Sequence, residues 1–310
     1  MKLRKASLGK PVSALPLKTK IFQRVEPYLY LLPALSMLIL FTYYPFITNV
    51  IHSFFTVDRF RRVRAFAGLR NYSRVLTDDS FLQAVGNTFI YVLATVPISI
   101  VIGFALALLA KKKTRFSVVY ETLFALSMAI SIAVIAMIFQ LAYNPSMGAI
   151  NQLFGLSISW LSDPSTALLS LIIIQIWSNI GYNFLFMFSA LRALPEDVME
   201  SSRMDGAVRS RLLFQIIIPL VSPTLLFLLM SGIAHAMTSA SLVLILTTTH
   251  GATGQPGGAT EVIMSFIYGR AIMGTNFNVA YAATTVGFVL SSIVMALALV
   301  LDRKKVSYDV

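Results

Sequence analysis

The 310-residue chain is 57% hydrophobic and 12% charged, with a mean hydropathy of +0.77; a soluble domain carries about 25% charge, so a water-soluble globule is excluded. It has no cysteine, which removes disulfides and thiolate metal sites. The net charge of +12 sits in short clusters beside apolar runs, a pattern that orients a chain in an anionic bilayer rather than binding nucleic acid.

The expected architecture is all-α and transmembrane: a basic tail at 1–27, a membrane domain at 28–301 and a short tail at 302–310. Crossing roughly 30 Å of hydrocarbon takes about 20 helical residues. Six stretches qualify, near 28–50, 87–110, 118–141, 166–190, 218–246 and 279–301. The first does not read as a signal peptide, because a polar stretch precedes it and no small-residue cleavage site follows. With the N-terminus inside, 18 lysines and arginines fall on the inner side and 7 on the outer. The first outer loop, with Arg59, Arg61, Arg62, Arg64, Arg70 and Arg74, opposes that trend locally, but the total places both termini in the cytoplasm.

Along the chain, Pro45, Pro97 and Pro223 lie within or near span ends, where a kink is tolerated if neighbours take up the freed carbonyls. Glu121 sits at the inner start of the third span. In the fourth, Gln175, Asn179 and Tyr182 fall at i, i+4 and i+7, one helix face, with Ser178 and Asn183 beside it. Such a stripe is either interspan hydrogen bonding, worth about 0.6 kcal/mol per bond, or the wall of a wet path for hydroxyl-rich solutes.

After the fourth span comes a polar segment, 192–217, holding Glu196, Asp197, Glu200 and Asp205 with Arg192, Arg203, Arg209 and Arg211. Pro195 opens a helix where a missing N–H costs nothing, and Glu196 and Asp197 suit its first turn. Asp205-Gly206 supplies a stop, and a second short helix from Ala207 carries Leu212, Leu213 and Phe214 into the next span. In the fifth span His235, Thr238 and Ser239 lie at i, i+3 and i+4; the histidine is either a buried structural residue or a contact for an anionic solute. Glu261–Ile272 reads as a short external amphipathic helix.

Nothing here powers transport by itself. There is no phosphate-cradling G-x-x-x-x-G-K-[ST] loop, no carboxylate deep in a span of the kind an ion-coupled carrier keeps, and no selectivity-filter sequence. An external motor is required, and the polar segment is the natural place for it to push.

At those residues the chain resembles the inner-membrane permease subunits of binding-protein-dependent ABC importers, whose cytoplasmic loop reads E-A-A-x-x-x-G, nine residues, then I-x-L-P. Glu200-Ser201-Ser202 stands for E-A-A, Gly206 keeps its spacing, and Ile216, Ile218 and Pro219 follow nine residues on. Further stretches resemble the carbohydrate and glycerol-phosphate branch: Phe66-Ala-Gly-Leu-Arg-Asn-Tyr72, Tyr143-Asn-Pro-Ser-Met-Gly-Ala-Ile-Asn151, Trp160-Leu-Ser-Asp-Pro164 and Pro256-Gly-Gly-Ala-Thr-Glu261. Thr247 to Pro256 is longer than the family's short T-x-G-G-P loop. The resemblance implies a type I ABC importer permease fold and a non-catalytic inner-membrane subunit without cofactor or metal. It implies a second related permease, two ATP-binding subunits that hold ATP and magnesium, and an extracytoplasmic solute-binding protein as partners, with lipid around the spans. Glu200, Ser201, Ser202, Asp205, Gly206, Ala207 and Pro219 would couple to the ATPase. Gln175, Asn179, Tyr182, His235, Thr238 and Ser239 are the candidate substrate contacts.

Overall fold

The computed structural model describes residues 17–111, 117–204, 209–274 and 276–302. Two compact units are divided between Ile51 and His52. The first is helical: α1 (Leu17–Leu38), a π-turn at Ile39–Tyr43, and the start of α2 (Tyr44–Ser53). The π-turn comes just before Pro45. Proline cannot donate to the carbonyl four residues back and its ring crowds it. The ladder therefore widens, and the Tyr44 N–H reaches back to Ile39 O.

The second unit opens with a feature the all-α expectation lacked, an antiparallel hairpin of β1 (Phe55–Val57) and β2 (Val63–Phe66). Its turn is held by Asp58, whose Oδ1 accepts the N–H groups of Phe60 and Arg62, both at 2.9 Å. Arg64 pairs with the other carboxylate oxygen at 2.6 Å. Two of the six arginines between Arg59 and Arg74 thus build the hairpin itself. Then follow α3 (Arg70–Leu76), α4 (Asp79–Ala110), α5 (Ser117–Ala129), α6 (Ile132–Ala142), α7 (Ala149–Phe154) and α8 (Pro164–Arg192). Next come α9 (Glu196–Met204), α10 (Arg209–Leu212), a π-turn at Leu213–Ile217, α11 (Ile218–Leu220), α12 (Ser222–Thr238) and α13 (Ser241–Leu246). The chain closes with α14 (Ile263–Tyr268), a π-turn at Gly269–Met273 and α15 (Phe277–Asp302). The π-turn before Pro219 repeats the arrangement before Pro45, with Ile218 N–H bonded to Leu213 O.

Among the described residues, five helical stretches are long and apolar enough to cross a bilayer: Tyr28–Ser53, Asp79–Ala110, Pro164–Arg192, Ser222–Leu246 and Phe277–Val300. The stretch expected as one span at 118–141 is two helices, α5 and α6, meeting at 95°. The break falls at Ile130–Ser131, where Ser131 leaves helical geometry and caps α6 through Val134 N–H. The fifth expected span is likewise interrupted, since Ser239 is extended between α12 and α13.

α8 is the central post. α4 runs parallel to it: Tyr91 meets Gln175 and Ser99 meets Asn183, two hydrogen bonds eight residues apart on both helices. Gly103 lets them close, since a Cβ there would sit 2.7 Å from Asn183 Cβ. α5 and α6 each pack on α8, along different stretches of it. Glu121 meets Arg192 and Phe124 meets Phe184 along α5, while Phe139 meets Trp177 and Tyr143 meets Ser170 along α6.

At the Pro164 end, the stretches that carried the family resemblance prove to be packing hubs. Asn71, fully buried, donates to the carbonyls of Ser53 and Phe55, both at 2.9 Å. Asn151 donates to Pro145 O and Ile158 O and accepts from Trp160 Nε1 at 2.8 Å. The long Thr247–Glu261 connection is braced by Gln255 N–H on Thr247 O at 2.7 Å and by Asn87 Nδ2 on the carbonyls of Gly258 and Glu261.

Candidate functional site

A cavity of about 450 Å³ opens halfway along α8, walled by α4, α8, α12 and the break between α5 and α6. α8 gives it Ser178, Asn179, Tyr182 and Asn183, and α12 gives Ser231 and His235. Of the residues expected at a substrate site, Asn179, Tyr182 and His235 share this one cavity. Gln175 does not line it; it is 2% exposed, accepts the Tyr91 hydroxyl at 2.9 Å and donates to Asn179 Oδ1 at 3.0 Å. His235 is exposed and lines the cavity from α12. Thr238 and Ser239 stay out of the cavity lining. Thr238 spends its hydroxyl on Ala234 O at 2.9 Å, and Ser239 ends α12.

The sequence pattern missed Ser99, Ser127 and Ser231, which reach the same cavity from α4, α5 and α12. A lone serine in an apolar helix carries little signal, because it can bond its own backbone, as Ser127 does on Phe124 O at 2.6 Å. The lining among the described residues holds hydroxyls, amides, one phenol and one imidazole, with no carboxylate. Such a lining presents the paired hydrogen-bond donors and acceptors that hydroxyl groups match.

At the Arg192 end, α9 begins one residue past Pro195. Asp197, Glu200 and Ser201 are exposed, whereas Ser202 is buried at 6%. The small second residue after the glutamate thus packs inward while the glutamate faces out. Val198 and Met204 are also exposed, Met204 at 88%, so α9 offers solvent an apolar edge as well as carboxylates. Asp205, Gly206 and Ala207 lie outside the described residues. Pro219 is the second residue of α11, and its carbonyl accepts from Ser222 Oγ at 2.7 Å.

Residues 96–307 match the family model described as the inner membrane component of binding-protein-dependent transport systems. The chain is 32% identical to the probable ABC transporter permease protein YurN of Bacillus subtilis (strain 168), covering 86% of this chain and 92% of that one. It is 29% identical to the sn-glycerol-3-phosphate transport system permease protein UgpA of Agrobacterium fabrum, covering 92% and 97%. Its fold matches, with a TM-score of 0.79 and 21% identity over 93% of this chain and 98% of the other, a chain in the crystal structure of a bacterial ABC transporter that imports the acidic polysaccharide alginate. A second structure of the alginate transporter, bound to a periplasmic protein holding alginate pentasaccharide, matches equally well in fold, at 22% identity. With its multiple apolar helices in a shared fold, this chain belongs to the inner membrane components of binding-protein-dependent transport systems.

Proposed function

We propose that this chain is one permease subunit of an ATP-driven importer for a sugar, oligosaccharide, polyol or glycerol phosphate. The carrying observation is the cavity at mid-depth of α8, lined by hydroxyl and amide groups at the elbow of a broken helix. Irregular backbone at membrane depth is tolerated where it lines a wet cavity, and amide donors suit hydroxylated cargo. Relatives named for glycerol-3-phosphate and a structural neighbour that imports alginate support the cargo class.

In this reading six spans cross the membrane, the bent α5–α6 pair counting as one, and both termini face the cytoplasm. A second permease completes the pathway. Two ATP-binding subunits hold ATP and magnesium and grip α9 of this chain and its counterpart. A solute-binding protein delivers cargo at the opposite end; the neighbour solved with its periplasmic protein supports that partner. Glu200 and the exposed edge of α9 are the gripped surface, with Gly206 as the sequence-predicted turn. Asn179, Tyr182 and His235 contact cargo, and Gln175 positions Asn179.

The rival reading, an ion-coupled carrier, lacks a carboxylate in the cavity to carry the coupling ion. Proteoliposomes separate the two. The complete assembly is expected to accumulate cargo only with internal ATP, and omitting the ATP-binding subunits abolishes uptake. Uptake by the permeases alone, driven by an ion gradient, rejects the proposal.

A further inference from the structure

We infer that the Glu121–Arg192 ion pair is a latch that makes α5 travel with α8 and α9 as one lever, carrying the coupling stroke to the cavity wall. This rests on α9 being the element the ATPase grips. Arg192 is the last residue of α8, four residues before α9 begins at Glu196. Its Nη1 lies 2.6 Å from Glu121 Oε1, an oxygen shielded from solvent, and its guanidinium lies 4.1 Å above the Phe188 ring. Phe188 stacks on Phe184 at 5.3 Å, and Phe184 meets Phe124 of α5 at 4.1 Å. Next along the seam, Gly181 leaves no room for even a Cβ beside Ser127 Oγ and Phe124 O.

From the root of α9 to the bend, then, α5 is joined to α8 by a charge pair, an aromatic stack and a glycine contact in succession. α5 ends two residues past Ser127, and Ser127, Met128 and Ile130 are cavity wall. A push on α9 therefore reaches the cavity through α5 only while α5 is fastened at its far end. Of the three contacts, the ion pair is the one nearest α9. Removing the cation takes away the charge that holds the partly exposed Glu121 carboxylate against the end of α8, so the two helices are free to part there. Arg192 and Glu121 are positioning residues; neither touches cargo.

The test uses the full assembly in proteoliposomes and compares Glu121→Gln and Arg192→Gln with the exchanged pair Glu121→Arg/Arg192→Glu. Both single variants are expected to retain the ATP-binding subunits and to hydrolyse ATP. Cargo moved per ATP falls about tenfold, in the range of ordinary coupling free energies, and the exchanged pair recovers most of it. The chain has no cysteine, so spin labels at Leu126→Cys on α5 and Leu169→Cys on α8 report directly. Their separation should stay constant through the ATP cycle in the native background and change on ATP addition in Glu121→Gln. Unaltered cargo per ATP in both single variants overturns the latch, as does a label separation that responds to ATP identically with and without Glu121. Loss of the ATP-binding subunits from Glu121→Gln also overturns it, since the pair would then merely shape α9. Failure of the docking reading itself is seen separately, as unchanged ATPase co-purification in Glu200→Lys.

Discussion

The Tyr91 hydroxyl donates to Gln175 Oε1 at 2.9 Å, and that bond decides which way a buried amide points. With its oxygen taken from α4, Gln175 turns its Nε2 to Asn179 Oδ1 at 3.0 Å. The oxygen of Asn179 is thereby engaged, which leaves its amide donors for the cavity. Tyr91→Phe keeps the ring and removes the proton, stranding an oxygen in a residue 2% exposed; such a loss costs about 1–3 kcal/mol. Lower thermal stability and a several-fold higher apparent KM for uptake are expected. Adding Gln175→Met to Tyr91→Phe removes both polar partners, so stability should return while the KM stays high. A double variant that recovers both, or a single variant that loses neither, contradicts this positioning role.

Helix contact between α4 and α8 depends on one glycine and not on its neighbour in the same helix. A Cβ at Gly103 would lie 2.7 Å from Asn183 Cβ and 2.9 Å from Phe184 N, atoms that cannot swing away. At Gly86 a Cβ meets nothing within 4 Å. Gly103→Ala is therefore expected to lower the melting temperature and to disturb the Ser99–Asn183 bond at the cavity. Gly86→Ala should hold or gain stability, up to about 1 kcal/mol from helix propensity. Equal melting temperatures for the two variants would mean that the close approach is not a constraint.

Coupling is expected to fail at α9 before it fails anywhere else. Glu200 faces solvent while Ser202 packs inward, so the two positions should respond differently. Glu200→Lys reverses the charge of the offered face and should abolish co-purification of the ATP-binding subunits while the permease melts normally. Ser202→Leu should instead destabilise the permease itself by overpacking, at about 1–3 kcal/mol. Pull-down and thermal melts on the same preparations check both, and a reversed pattern would mean the helix is turned the other way.

The long apolar helices and α9 were legible because each is written in one stretch of chain: uncharged runs for the first, Pro195 followed by carboxylates for the second. The elbow was not. Nothing between Glu121 and Leu141 is glycine or proline, so the usual marks of a break are missing, and Ser131 looks like any other serine in an apolar run. Only tertiary packing selects it, because α5 and α6 each find a different stretch of α8. The cavity was half legible for the same reason. Asn179 and Tyr182 share a helix face and announce themselves by periodicity, while Ser99, Ser127 and Ser231 come from separate helices and join them only in the fold. His235, Thr238 and Ser239 illustrate the converse: local spacing grouped three residues of which the cavity takes one.

At the Pro164 end, Trp160 stacks on Tyr143 with ring centroids 5.2 Å apart, and its Nε1 is held by Asn151. Burial pushes the Tyr143 phenol from 10.0 up to about 12. A raised folded-state value means that ionisation opposes folding. The stacked arrangement is fully stable below the unfolded value, near 10, and is lost as pH rises through about 12. The chain has two tryptophans, so Trp177→Phe, which keeps a ring against Phe139, isolates Trp160 emission. In that background the emission maximum should stay blue until strongly alkaline pH and then shift red. Tyr143→Phe should remove the alkaline step while preserving the stack. Asn151→Ala should shift emission red at neutral pH and cost about 3 kcal/mol, roughly 1 for each of its lost hydrogen bonds. An emission maximum indifferent to Asn151, or an alkaline step that survives Tyr143→Phe, would show that this cluster does not hold the Pro164 end together.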